Sequence, residues 1–302
     1  MNWTESLIVA LVVVPSTIWA ALAVHYHSPR PAVRWARSLL PPGVIAVGGA
    51  IGKLSLGFWL VWAVTIAATI LWFRTLRPRL NRDWAAGLDV LPRVQIEGDR
   101  VVIQNFRNFD YAAGGVRIRH YETREFDLTT LRGLDYYLSH WSGAVMAHTL
   151  VGFAFDDEQY LAVSVEARRR AWQSYSPLWG LFRAYELIFV LGHERDIVGL
   201  RTNVRRERVL RYRLNLPLEQ VRQLLVDYLM RAEALASRPE WYNSFTSNCT
   251  TNLFFHRHRR TRWWLHSGVF INGLSARALY RSGFLDRRVP FAELQARAEI
   301  HL

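Results

Sequence analysis

Two long apolar runs open the chain, at residues 7–24 and 54–73, the second studded with Trp59, Trp62 and Trp72. Each has about the 18–20 residues that a helix needs to cross the hydrocarbon core of a bilayer. A cleaved signal peptide fits the first run poorly. Met1-Asn2-Trp3-Thr4-Glu5 carries no arginine or lysine, and no small-x-small cleavage site follows closely. The pattern therefore predicts an anchor over residues 1–82 with two retained transmembrane helices, about 7–24 and 54–73. Between them lies a proline-rich link (Ser28-Pro29, Arg30-Pro31, Pro41-Pro42-Gly43). Two spans would leave the N-terminus and the main domain on the same side of the membrane.

From Asp83 the periodicity changes. Residues 94–96 and 100–104 alternate as strands joined by the turn signal Glu97-Gly98-Asp99, and 116–126 is strand-like. Residues 131–142 read as a short connection. Residues 145–155 and 160–168 form a hairpin pattern around Asp156-Asp157-Glu158, and 187–191, 198–203 and 209–214 are further strands. Over 218–236, Val221, Leu224, Leu225, Tyr228 and Leu229 share one helical face. Another helix is expected to start at Ser247–Cys249, capped by Thr246 or Ser247. The expected class for 83–302 is α+β, an antiparallel sheet with packed helices.

Composition adds the question of partners. The 302 residues are 51% apolar and carry a net charge of +13, with Lys53 the single lysine. Such a charge suits anionic lipid, acidic glycans or nucleic acid. No nucleic-acid recognition motif is visible and two spans restrict access, so no nucleic-acid partner is expected. The arginine flanks do not orient the anchor. Arg30, Arg34, Arg37 and Lys53 in the link balance Arg74, Arg77, Arg79 and Arg82 after the second span.

Cys249 is the only cysteine, so the chain has no internal disulfide. A lone cysteine is either an inert buried side chain or a reactive thiol. The polar string Thr246-Ser247-Asn248-Cys249-Thr250-Thr251-Asn252 argues against plain core filling. In the first turn of a helix, the positive end of the dipole lowers a thiol's pKa and backbone N–H groups face a developing oxyanion. A cysteine nucleophile needs a base. His256 lies seven residues on, roughly 10 Å along a helix, too far for proton transfer. His258 points elsewhere. Cys249, His256 and His258 lack zinc-site spacing, so neither metal nor cofactor is expected. His148 sits in an otherwise apolar strand, where a histidine is ordinarily a hydrogen-bonded core residue. On the next strand Glu166 is placed to orient it, unless Glu166 and Arg168 are merely a surface pair. Cys249, His148 and Glu166 are thus the candidate triad, with Asn248, Ser164 and Arg168 as weaker candidates for substrate or oxyanion contacts.

Histidine on one strand, a polar orienter on the next and Asn-Cys opening a helix about 100 residues later resembles the circularly permuted papain-like enzymes typified by lecithin:retinol acyltransferase. Within that class, a set of short strings is similar to the Lnb-type N-terminal periplasmic domain family. They are Asn105-Phe106-Arg107-Asn108-Phe109, Ala147-His148-Thr149, Val163-Ser164-Val165-Glu166-Ala167-Arg168, Tyr185-Glu186-Leu187, Glu194-Arg195-Asp196, Leu200-Arg201-Thr202-Asn203 and Tyr242-Asn243-Ser244-Phe245-Thr246-Ser247-Asn248-Cys249-Thr250-Thr251-Asn252. The resemblance spans about Asp83 to Arg260. It implies an active domain in the periplasm of a bacterium, which the two expected spans would anchor in the inner membrane. It also implies a thioester on the cysteine, with acyl transfer to the N-terminal amine of a lipoprotein as the activity for which the family is named; a cysteine at a helix start near the bilayer makes a phospholipid the expected acyl donor. A cysteine peptidase or amidase acting on cell-wall peptides, and a non-catalytic membrane protein, are the competing readings.

Overall fold

In the computed structural model the described residues are 3–28, 31–52, 55–112, 115–254 and 272–301. The chain divides into two compact units, residues 1–79 with 174–184, and residues 80–173 with 185–302.

The first unit is helical: α1 (Trp3–Ile8), a π-helical stretch Val9–Val13, α2 (Val14–Tyr26), α3 (Pro31–Ser38), α4 (Leu40–Gly52), α5 (Leu56–Thr75) and α6 (Pro177–Leu181). The π stretch ends where Pro15 enters the first turn of α2; a proline ring lacks an N–H and clashes with the preceding turn, and the wider winding absorbs both. Glu5–Tyr26 and Leu56–Thr75 are each long and apolar enough to cross a membrane. Both leave apolar side chains bare, among them Leu11, Ile18, Leu60, Val64 and Leu71, as lipid-facing helices do.

These two helices run in the same direction. Val13 packs with Phe58, Trp62 donates from Nε1 to Ser16 Oγ at 3.2 Å, and the His27 ring lies 5.6 Å from that of Trp72. α4 packs against both α2 and α5, and its Ile45 completes the cluster of Val13 and Phe58. At the C-terminal ends of α2 and α5, Tyr26 meets Trp179 and Phe182 at 5.1 and 5.2 Å. There His27 Nε2 donates to Phe182 O at 2.6 Å, and Arg183 donates to Phe73 O at 2.9 Å.

The second unit is α+β. Its strands are β1 (Arg93–Glu97), β2 (Arg100–Arg107), β3 (Asp110–Ala112), β4 (Gly115–Ile118), β5 (Tyr121–Asp127), β6 (Leu131–Ser142), β7 (Met146–Phe155), β8 (Tyr160–Arg168), β9 (Glu186–Gly192), β10 (Arg208–Arg213) and β11 (Glu299–Ile300). Among the described residues nine of them form one sheet in the order β1-β2-β9-β8-β7-β6-β10-β11, with β5 also on β2. All pairings are antiparallel except β2 with β9. At that junction Gly192 passes so close to Arg107 that a Cβ would lie 2.6 Å from the Arg107 carbonyl oxygen.

Side-chain alternation divides the sheet into two buried faces. On one, Tyr137, Leu150, Ala162, Ile188 and Val190 pack with Leu88, Ile197, Val198 and Val209. On the other lies α8 (Leu218–Ser237), which buries Val221, Leu225, Tyr228, Leu229, Ala232 and Leu235. Its Tyr228 ring reaches Phe153 and Phe189 at 5.9 and 6.2 Å. Large side chains buried this way each contribute about 1.5–3 kcal/mol. α7 (Glu194–Ile197), α9 (Cys249–Phe254), α10 (Ser275–Arg281) and α11 (Phe291–Arg297) complete the unit.

Two expectations fail. Residues 131–142 are not a connection but β6, a twelve-residue strand in the sheet interior. Its polar positions are satisfied from afar: Asp135 pairs with Arg213 at 2.8 Å and accepts from Tyr160 at 2.6 Å. Residues 198–203 are not a strand. They lie in a tight helical connection after α7 that includes the π-helical turn Leu200–Val204, which carries Arg201 inward. That region is pinned by Asp196, which is fully buried and accepts from Arg107 Nε and Nη2 at 2.9 and 2.8 Å, from Phe109 N at 2.8 Å and from Tyr111 OH at 2.6 Å. Four donors on one carboxylate satisfy a charge that would otherwise be costly to bury.

Candidate active site

β7 and β8 pair only from Leu150–Ser164 to Ala154–Tyr160. Beyond Leu150, β7 stays with β6 as far as Met146, while β8 stays with β9 as far as Arg168. The sheet therefore forks, with His148 on one prong and Glu166 on the other. Ser164 bridges them. Its Oγ donates to Glu166 Oε1 at 2.7 Å and lies 2.8 Å from His148 Nε2, which stands 3.4 Å from the same carboxylate oxygen. The serine's single proton is committed to Glu166, which as a carboxylate can only accept. Ser164 must then accept from His148, so the imidazole proton sits on Nε2 and Nδ1 carries the lone pair.

Behind Glu166 stands Arg201, 3% exposed at its side chain. It donates to Glu166 Oε1 at 2.7 Å and reaches Ser164 Oγ at 3.4 Å. Its other terminal nitrogen is 3.6 Å from Glu207, which in turn accepts from Ser139. Burial and then the Arg201 charge push the His148 imidazole down from 6.5 to about 3, with Glu166 opposing. Burial works to raise Glu166, but His148, Arg201, Arg205 and the Ser164 hydrogen bond outweigh it and hold the carboxyl well below its usual range. At neutral pH the site holds a neutral imidazole and an ionised carboxylate whose charge is shared with arginine.

α9 packs against both prongs, β7 and β8. Its cap is neither Thr246 nor Ser247 but Asn248. The Asn248 Oδ1 accepts from Thr250 N and Thr251 N at 2.9 Å, while Thr251 Oγ1 accepts from Asn248 N at 2.8 Å. This is a reciprocal capping box, and Asn248 Nδ2 is used on Ser244 O at 2.7 Å. Asn248 thus shapes the turn that presents Cys249. Cys249 is the first residue of α9 and 5% exposed. Thr250 Oγ1 lies 3.3 Å from Thr149 Oγ1, which ties α9 to β7 beside His148.

His148 and Thr149 alternate, so α9 meets β7 on the face opposite the His148 relay. Cys249 shares that face with Tyr136, whose phenol it helps to hold un-ionised after burial itself. The structure therefore joins His148, Ser164 and Glu166 directly and sets Cys249 against the same fork from the other side. Arg168 is elsewhere: it donates to Leu88 O and Asp89 O at 2.7 and 2.9 Å and stacks 4.2 Å over Trp84. His256 and His258 lie outside the described residues.

Two side chains escaped the sequence reading. Arg201 gave no periodic signal, although its string was among those resembling the family. His140 on β6 alternates with Ser139 and so projects to the face of Thr149 and α9, its ring nitrogens buried. Burial, and then Arg208, lower its pKa.

No curated relative and no solved structure matches the chain. A family model does, that of the Lnb N-terminal periplasmic domain, over residues 118–266. The match begins at Ile118, later than the expected Asp83, so the string at Asn105–Phe109 falls outside it. It includes His148, Ser164, Glu166, Arg201 and Cys249. Residues 118–266 thus match the Lnb N-terminal periplasmic domain family, and two helices long and apolar enough to cross a membrane precede them, the arrangement of a membrane-anchored protein with a periplasmic domain.

Proposed function

We propose that this domain is a cysteine-dependent acyltransferase of the permuted papain-like class, working at the inner membrane through a thioester on Cys249. The observation that carries the reading is the His148–Ser164–Glu166–Arg201 relay, whose tautomer leaves Nδ1 as a base at the fork against which the Cys249 turn is capped. A neutral imidazole is free to act as a general base.

In the first half-reaction the Cys249 proton has to reach His148 Nδ1 through the open fork between β7 and β8, since the two side chains belong to opposite faces there, as sulfur attacks an ester carbonyl carbon of a phospholipid. The acyl C–O bond breaks, and the lysophospholipid oxygen leaves with the proton returned by His148. In the second, the N-terminal amine of a lipoprotein attacks the thioester, His148 takes its proton, the C–S bond breaks and the thiol is restored. The proton inventory closes without metal or cofactor. Thioesters are more readily aminolysed than oxygen esters, which favours cysteine for this task. The anchor would raise the effective concentration of donor and acceptor.

The test is incubation of the full chain with phospholipid labelled in its acyl chain. Label should appear on Cys249, be released by neutral hydroxylamine, and be lost in Cys249→Ser and Cys249→Ala. An unlabelled enzyme that instead cleaves cell-wall peptides would replace this reading with an amidase.

A further inference from the structure

We propose that residues 39–52 cross the bilayer as a third, returning segment, so that the N-terminus and the Lnb-type domain lie on opposite sides of the membrane. Two antiparallel spans would put both on one side. The long helices are parallel, however: Val13 with Phe58, Ser16 with Trp62 and His27 with Trp72 are each about 45 residues apart in sequence, with no reversal of order. Two parallel crossings joined by one chain require that the joining chain cross back.

α4 is the segment that does so. It leaves the end of the bundle where α2 stops and leads to the end where α5 begins, packed on both. Its sequence, Leu40-Pro41-Pro42-Gly43-Val44-Ile45-Ala46-Val47-Gly48-Gly49-Ala50-Ile51-Gly52, contains no polar side chain. Thirteen residues cover roughly 20 Å of a core of about 30 Å. The remainder falls to the last turn of α3 and to Arg37, whose long stem lets the charge reach the interface. Ile45, Val13 and Phe58, one from each crossing, form the buried centre of this bundle.

Parallel spans also change the charge count. Arg34, Arg37, Arg74, Arg77 and Arg79 now gather at the end where α2 and α5 stop. Taken alone that bias favours a cytoplasmic domain end. The family is periplasmic, and some of these arginines are structural: Arg34 stacks 5.0 Å over Trp179 and donates to Ser28 O at 3.3 Å. The assignment is therefore N-terminus in the cytoplasm and domain in the periplasm.

The test is substituted-cysteine labelling of the full chain in a Cys249→Ser background, with a membrane-impermeant maleimide on spheroplasts. Arg37→Cys and Arg77→Cys should label in intact spheroplasts, and Trp3→Cys and Ser55→Cys only after permeabilisation. Deleting residues 39–52 should make Trp3→Cys and Arg77→Cys label alike. Trp3→Cys and Arg77→Cys labelling together in the intact chain, or Ser55→Cys labelling with Arg37→Cys, would overturn the third crossing. A full mirror image of the expected pattern would keep the three crossings and overturn the periplasmic assignment.

Discussion

Lowering the pH from 7 to 4.5 should destabilise the domain by an amount that His148→Gln removes. His148 is neutral in the folded protein down to about 3, whereas the unfolded residue protonates near 6.5. Between those values the unfolded state binds the extra proton, so stability falls as pH falls; above 6.5 the contribution is fully present. Over the window from 7 to 4.5 the unfolded state gains nearly two pH units of protonation, worth about 2.7 kcal/mol. The side chain is 14% exposed, so solvent screening trims this only slightly. For a domain of this size the loss corresponds to a melting temperature lower by about 5–10 °C. Glu166 runs in the same direction, its folded pKa being depressed, but it acts mainly below its ordinary 4.5. His140 is lowered in both proteins and cancels in the comparison. Thermal melts of the full chain in detergent, followed by near-ultraviolet circular dichroism at half-unit pH steps, give the two slopes. If His148→Gln loses as much stability as the parent chain over this window, or if the His148 ring titrates near 6.5 by NMR, the buried neutral imidazole is wrong.

Ser164→Ala should slow iodoacetamide alkylation of Cys249 by at least tenfold at neutral pH, because the tautomer is no longer fixed, at a stability cost of about 1–3 kcal/mol for the polar groups it leaves. Arg201→Met should move the acidic limb of that alkylation rate upward, since the cation that helps keep His148 neutral is gone; an unmoved limb refutes its part in the relay. His148→Ala should cripple alkylation while His140→Ala leaves it within about threefold, and the opposite ranking would transfer the base to β6. Asp196→Ala strands the buried Arg107 and should cost about 3–5 kcal/mol in urea melts.

The hairpin of β7 and β8 was legible to within a residue, because strong apolar runs meet a short acidic turn. His148 and Glu166 could be paired from it because neighbouring strands place them on one face. β6 was not legible, since Gly133, Asp135 and Ser139 look like loop residues until Arg213, Tyr160 and Glu207 arrive from distant parts of the chain. Arg201 was hidden for the same reason: its burial is set by a partner 35 positions away, and arginine is common in this sequence. The cap of α9 was misplaced by one residue or two, because Thr246, Ser247 and Asn248 all have capping side chains and only the reciprocal bond to Thr251 singles out Asn248. The parallel course of the long helices is invisible to hydropathy, which counts apolar residues and not their direction.

The excursion of residues 174–184 bears on how the protein can be produced. It interrupts the sequence between two neighbouring strands, yet its aromatic side chains, Trp179 and Phe182, pack on Tyr26 near the chain's beginning. A soluble version made by cutting away the first 79 residues would strip these rings of their partner and leave them beside Leu178, which is already exposed. Such a product presents a sticky patch to other copies of itself. Replacing residues 174–184 with a short glycine-serine turn in the same truncated chain is the design that removes the patch along with the helices that cover it.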